Sequence, residues 1–289
     1  MNYIETYKIQ LGQNKKNIES YYESDIYNEY CGLNCFLNNF ERDNTSIRKG
    51  IEDVIFNLQG ERSQLESCVA LIKSTIDEFE KSKHPLFSTF EFDGVLFLIG
   101  DQTVDSQGIV IDGKSYMVVD LAAYLGAKDK YNPISFVIHE VVHPIHYRLN
   151  PEMYFRNFKN YKEVILKRMI IEGIATYFTK HFTDESDADI FWLGYLDQTG
   201  VSKWIAYANK MKEDMGQKIE NLIKKDELEI VTNDLLFCIT DPDNLWKGRL
   251  GYYYGYDIIR EIHKTISIDK ILKMLLEDFL PYLLDYFNI

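Results

Sequence analysis

Two histidines and a glutamate stand within one short stretch, His139-Glu140-Val141-Val142-His143. On a helix, residues four apart lie one turn apart on the same face, so both imidazoles can point at one ion. Glu140, next in line, sits beside them within reach of a water on that ion. The flanking residues Phe136, Val137, Ile138, Val141 and Val142 are apolar, and polar side chains in such a stretch are costly to bury without partners. A catalytic zinc ion takes three protein ligands and leaves a fourth position for water. Glu172 offers the third, with twenty-eight residues between it and His143. It stands in Met169-Ile-Ile-Glu-Gly-Ile-Ala-Thr-Tyr-Phe178, an almost wholly apolar segment in which a carboxylate is rarely buried without a cation. The competing reading of Glu172 is a solvent-facing residue on a half-buried helix. The expectation is one Zn2+ per chain on His139, His143 and Glu172, with Glu140 as general base.

The elements that would position these residues follow from periodicity and turn chemistry. Asn132 can cap a helix whose first residue is Pro133, and the His-Glu pair lies in that helix. A second helix over about Tyr161 to Phe182 carries Glu172. Further amphipathic segments run through residues 185–228, and the last helices cover about Tyr252 to His263 and Ile268 to Phe287. Upstream, Val95-Leu-Phe-Leu-Ile99 closed by Gly100 predicts a buried strand. Ile109-Val-Ile111, Asp112-Gly113 and Tyr116-Met-Val-Val119 predict a hairpin, giving a sheet of roughly three strands. Residues 1–85 are charged and helical in pattern, as in Ile47 to Leu58 and Leu65 to Phe79. Pro144 directly follows the second histidine. It lacks the N–H that would bond the carbonyl of Glu140, so the helix is expected to kink or end at His143.

Glu172-Gly-Ile-Ala-Thr-Tyr-Phe178 resembles the second metal motif of aminopeptidase N-like gluzincins, where a ligand Glu is followed by Gly and then by Thr and Tyr. The longer spacing after the first motif is closer to an uncharacterised bacterial family described as predicted Zn-dependent proteases. That family carries a downstream Gly-Tyr-x-x-Gly-Tyr motif, present here as Gly251-Tyr252-Tyr253-Tyr254-Gly255-Tyr256. The resemblance covers about residues 90–265 and implies a zincin-like metallopeptidase of gluzincin type. It implies that Tyr252, three residues before Gly255, donates to the oxyanion formed when a carbonyl is attacked. Tyr253, Tyr254 and Tyr256 compete for that role, and a purely structural tyrosine cluster is the alternative. Gly251 and Gly255, four apart, would leave a bare helix stripe along which backbone approaches the site. Thr176, one turn beyond Glu172, is a candidate to hydrogen-bond a ligand histidine, the place that an Asp takes in thermolysin-like enzymes. Tyr177, Arg249 and Asp257 are weaker candidates. His146 lies on a similar face to His143, while His84, His181 and His263 read as surface or packing residues.

The 289 residues carry a net charge of −13, which opposes contact with a phosphate backbone and argues against nucleic acid as a partner. Cys31, Cys35, Cys68 and Cys238 are too few to staple a chain that buries its own core, so reduced thiols are expected. Cys31 and Cys35, on one helix face, leave a small opening for metal or redox chemistry. The polar stretch from Met1 to Asp25 lacks the apolar region of a signal peptide, and no apolar run is long enough to span a membrane. The chain therefore reads as cytoplasmic, and a secreted chain whose leader had been removed would read the same.

These readings converge on an α+β protein: a helical N-terminal lobe over 1–85, then a zincin-like metallopeptidase domain over 86–289 in which a small sheet precedes helices. The expected activity is zinc-dependent hydrolysis of a peptide or protein substrate. A catalytically inactive zincin-fold protein that binds or regulates a partner is the rival class, and a hydrolase of a non-peptide amide is a second rival. An intact Glu140 favours an enzyme. The Gly-x-Met-Glu-Asn segment with which the resembling aminopeptidases hold a free amino terminus does not occur, so aminopeptidase activity is not expected.

Overall fold

The computed structural model describes residues 1–12, 15–37, 42–225, 230–239 and 241–289. The chain is α+β, with a small sheet and many helices, and it divides into two compact units, Met1–Arg148 and Leu149–Ile289.

In the first unit the order is β1 (Tyr3–Glu5), α1 (Tyr7–Gln10), α2 (Lys15–Tyr22), α3 (Asp25–Leu37), α4 (Asn44–Asn57), α5 (Arg62–Lys81) and α6 (Pro85–Thr89). Then come β2 (Gly94–Leu98), β3 (Ser106–Ile111), β4 (Lys114–Asp120), α7 (Leu121–Ala127) and α8 (Pro133–Leu149). The sheet has four strands in the order β1-β2-β4-β3, not three. β2 pairs in parallel with both β1 and β4, and every one of its residues is buried. A strand covered on both faces has no reason to alternate, which is why Val95-Leu-Phe-Leu reads as a continuous apolar run. The added strand β1 is only Tyr3-Ile-Glu5, too short to carry a periodicity, and the paired edge of β2 holds it.

The β3–β4 hairpin turns at Asp112-Gly113 as expected, with Ile111 opposite Lys114. Both turn residues have positive φ, 51° and 72°, the pair of values that a type I′ turn needs to match the strand twist. The sheet spans residue 85, where the sequence reading divides the chain. β1 pairs with β2 across that point, α3 packs on β3 and α5 packs on α7. The N-terminal helices therefore belong to the sheet's own unit.

At the end of β4, Asp120 caps α7 by accepting from the N–H groups of Ala122 and Ala123, and it also accepts from Gly100 and Gln102. It thus ties the C-terminal ends of β2 and β4 to the start of α7. Burial pushes its carboxyl up to about 7, against the pull of those donors. The cysteines form no disulfide.

The second unit holds α9 (Tyr161–Phe182), α10 (Asp187–Trp192), α11 (Gln198–Lys225), α12 (Ile230–Phe237), α13 (Leu250–His263), α14 (Ile268–Ile271) and α15 (Leu276–Phe287). The reading that ran amphipathic segments through 185–228 extends to 226–228, outside the described residues. Every residue of α9 from Val164 to Thr179 is buried, the mark of a helix enclosed on all sides. Its main partner is α13. The two cross at Gly173 and Gly255, where a Cβ on Gly173 would lie 2.5 Å from the Cα of Gly255.

The single helix expected over Ile268 to Phe287 is instead two, α14 and α15. Asp278 accepts from the N–H of Leu275 at 2.9 Å, and this side-chain cap starts a new helix. No helix among the described residues is long and apolar enough to cross a membrane.

Candidate metal centre

The cluster of His139, Glu140 and His143 is built by α8. The Asn132 carboxamide accepts from Ile134 N (2.9 Å) and Ser135 N (3.1 Å) ahead of Pro133, the cap expected for this helix. Contrary to expectation, α8 neither ends at His143 nor stops at Pro144 but continues to Leu149. All residues from Ser135 to Tyr147 are buried, so tertiary packing outweighs the single hydrogen bond lost at the proline. The strand β3 lies against that point. A Cβ on Gly108 would stand 2.7 Å from Pro144 N and 2.9 Å from His143 C, so only glycine lets the strand come this close.

Within α8, His139, Glu140 and His143 are all buried, and each offers a ligand atom lying within 4.8 Å of the others. The two imidazole centroids are 5.3 Å apart. With metal–nitrogen bonds of about 2.0–2.1 Å and a ring nitrogen about 1.2 Å from its centroid, two imidazoles on one tetrahedral ion hold their centroids about 5.2 Å apart. The histidine pair therefore fits a shared divalent ion. Glu140 Oε2 is 3.9 Å from His143 Nε2, beside the pair as the motif requires. His146 is buried, neither ring nitrogen has a hydrogen-bond partner among the described residues, and the three-residue group does not include it. Burial, aided by His143, pushes its pKa down to about 3.

The other predicted residues lie in the second unit. Glu172 is buried on α9, and Tyr252 on α13 feels its charge. The Tyr252 phenol is pushed up to about 12, first by desolvation and then by Glu172, with Arg249 and Arg168 pulling the other way. Tyr252 and Glu172 are therefore electrostatic neighbours, at the crossing where Gly173 meets Gly255. Arg249 takes the left-handed conformation at the start of α13 (φ 57°), and its guanidinium lies 4.0 Å from the Tyr252 ring centroid and 4.9 Å from that of Trp192. Such stacking on aromatic faces orients the guanidinium.

The rival tyrosines are engaged elsewhere. Tyr254 donates to Ala208 O at 2.8 Å, Tyr253 meets Trp204 and Asn209, and Tyr256 packs on Phe191 and Tyr177. The bare stripe receives two different neighbours. Gly255 meets α9, whereas a Cβ on Gly251 would strike the Phe237 ring of α12.

Thr176 Oγ1 is buried and makes no hydrogen bond among the described residues. Asp257 pairs with Arg260 at 2.9 Å and accepts from Tyr286, a helix-packing role. Tyr177 rings against His181 and His263, and His84 packs on Phe79 and Phe87. Cys35 donates to Arg42 O at 2.9 Å, while Cys31 is fully buried.

Sequence reasoning missed Arg168 and Trp192. Arg168 left a usable signal: it precedes Glu172 by one helical turn in an otherwise apolar segment. Trp192 left none, because its place over Arg249 depends on α10 packing against α9. Compared with family models, with curated proteins and with solved structures, the chain matches none.

Proposed function

We propose that this protein is a zinc-dependent hydrolase of peptide bonds, with His139, His143 and Glu172 holding the ion. The observation that carries this reading is the buried group of His139, Glu140 and His143 on one helix, with donor atoms gathered within 4.8 Å and rings at chelating separation. A zinc ion bound there would supply Lewis acidity and lower the pKa of the attacking water.

The protein's own groups do the rest. Glu140 would take the water's proton on its carboxylate and hand it to the departing amine. Tyr252, with its pKa near 12, keeps its proton over the working range and has an O–H to donate where negative charge builds on the carbonyl oxygen. Arg249, held between Trp192 and Tyr252, adds positive potential beside that phenol.

β3, the outer strand of the hairpin, is buried from Ser106 to Ile109. In the order β1-β2-β4-β3, β2 is paired on both sides and the edges are β1 and β3. Gly108 turns its N–H away from β4, where the Gln107 side-chain oxygen takes it at 2.9 Å.

The test is metal content followed by cleavage. Purified protein should carry one zinc per chain, lose it in His139→Ala or His143→Ala, and cleave members of a broad peptide library. Protein that holds zinc but cleaves nothing across such a library would instead be a binding or regulatory module.

A further inference from the structure

The C-terminal turns of α9 and α13 bring together two histidines that the hydrolytic reading does not use. His181 lies eight residues beyond Gly173 and His263 eight residues beyond Gly255, so the helices that cross at the glycines meet again about 12 Å further along. The two rings meet edge to face, with centroids 5.5 Å apart and planes at 74°.

We propose that His181 and His263 form a second metal site, a two-imidazole clamp for a borderline divalent ion such as Zn2+ or Cu2+, with water completing its coordination. The centroid separation is within a few tenths of an ångström of the value of about 5.2 Å for two imidazoles on one tetrahedral ion. It is also close to the 5.3 Å of the pair on α8.

The chemistry of each ring agrees. His263 Nδ1 lies 3.1 Å from the carbonyl oxygen of Ile266. A carbonyl only accepts, so Nδ1 carries the proton and Nε2 of the neutral ring presents its lone pair. A backbone carbonyl on the far nitrogen is the usual orienting partner of a ligand histidine. His181 is exposed, which gives an ion access. Its pKa is lowered, by partial burial first and by His263 second, which favours the neutral, ligating form near pH 7. Tyr177 stacks on His181 and leans on His263, so both rings are held in place before any ion arrives. An ion here would tie α9 to α13, the helices carrying Glu172 and Tyr252, at a second point beyond their crossing.

Calorimetric titration of the metal-stripped full chain with Zn2+ tests this. Wild type should show two binding events, the second weaker than the first because it has two protein ligands rather than three. The double substitution His181→Gln and His263→Gln should remove only the weaker event, and His139→Ala only the tighter one. Excess Zn2+ should raise Tm more in wild type than in the double variant. A titration unchanged by the double substitution, or a single event that survives it, overturns the clamp. A single event that survives His139→Ala but not the double substitution upholds the clamp and sinks the hydrolytic site. Circular dichroism checks that the variant folds. Independently of any variant, imidazole NMR of the wild type should show Nε2 of both rings moving together as Zn2+ occupies the weaker site, and two rings that stay put at saturation overturn the proposal.

Discussion

The contact between Gly173 and Gly255 lends itself to a quantitative test through Gly173→Ala. The new methyl would sit 2.5 Å from the Cα of Gly255 and 2.7 Å from its carbonyl oxygen. Carbon atoms rest comfortably at about 3.5 Å, so the shortfall is roughly 1 Å. The obstacle is helix backbone rather than a movable side-chain end, and in a close-packed interior the only relief is to push α9 and α13 apart. Overpacking of this kind costs typically 1–3 kcal/mol, and a backbone obstacle places it near the top of that range, about 3 kcal/mol. Alanine returns about 1 kcal/mol of helix propensity, leaving a net loss of roughly 2 kcal/mol. At about 2–4 °C per kcal/mol for a domain of this order, Tm should fall by roughly 4–8 °C.

Gly126 is the control. It lies in α7, and nothing stands within 4 Å of the position that its Cβ would take. Gly126→Ala should therefore leave Tm unchanged or raise it slightly. Thermal unfolding of both variants, followed by circular dichroism, gives the comparison. If Gly173→Ala melts with Gly126→Ala, the crossing is not close enough to need glycine. Zinc content measured on the same samples should fall only in Gly173→Ala, because only there does the displaced backbone carry the adjacent Glu172.

Three further outcomes follow from the site. Glu140→Gln should keep zinc and fold while peptide hydrolysis drops about 10²–10⁴-fold, since glutamine matches the shape but accepts no proton, and retained activity would remove Glu140 as the base. Tyr252→Phe should lower kcat by roughly 10²–10³-fold with little change in metal content, whereas a silent Tyr252→Phe beside a damaging change at Tyr253, Tyr254 or Tyr256 would move the donor within the cluster. The third concerns His146, whose native pKa of about 3 lies below the ordinary value of 6.5. Between those values the unfolded chain binds more protons, so stability should decline as pH falls from about 7, by up to about 1.4 kcal/mol per unit. Urea midpoints of the metal-free protein at pH 7 and pH 5 should therefore differ less in His146→Leu than in wild type, and equal differences would refute the assignment.

Much of what positions the site was legible in local chemistry. Asn132-Pro133 announced the start of α8, Asp112-Gly113 the hairpin, and the unbroken run after Gly94 a strand covered on both faces. Each is a signal carried by neighbouring residues, and each element formed where that signal lay. What escaped depends on partners distant in sequence. Tyr3–Glu5 is a strand only because β2 offers it an edge. Pro144 reads as a helix end, yet α8 passes through it because its whole middle is enclosed and Gly108 lets β3 lie against it. The bare stripe of Gly251 and Gly255 was visible, but that Gly255 would meet Gly173 while Gly251 met Phe237 is a property of three helices packing together. The His139-Glu140-His143 spacing was a local code. The neighbourhood of Glu172, Tyr252, Arg249 and Trp192 is assembled from α9, α10 and α13, and no single stretch encodes it.

The pairing of β1 with β2 also bears on the order of events as the chain folds. Tyr3 lies opposite Val95, so the first strand leaves the ribosome about ninety residues before its partner. α4 and α5 can form from local contacts in the meantime, but closing a loop of that length carries an entropic penalty that nearby contacts do not. β2 has no adjacent partner in sequence either, since β4 reaches it only after the hairpin has formed. Assembly of this sheet should thus be late and slow compared with its helices, as non-local strand pairing generally is. The hairpin of β3 and β4, closed by its two-residue turn, is the part able to form first, and β2 and then β1 can add to it in succession.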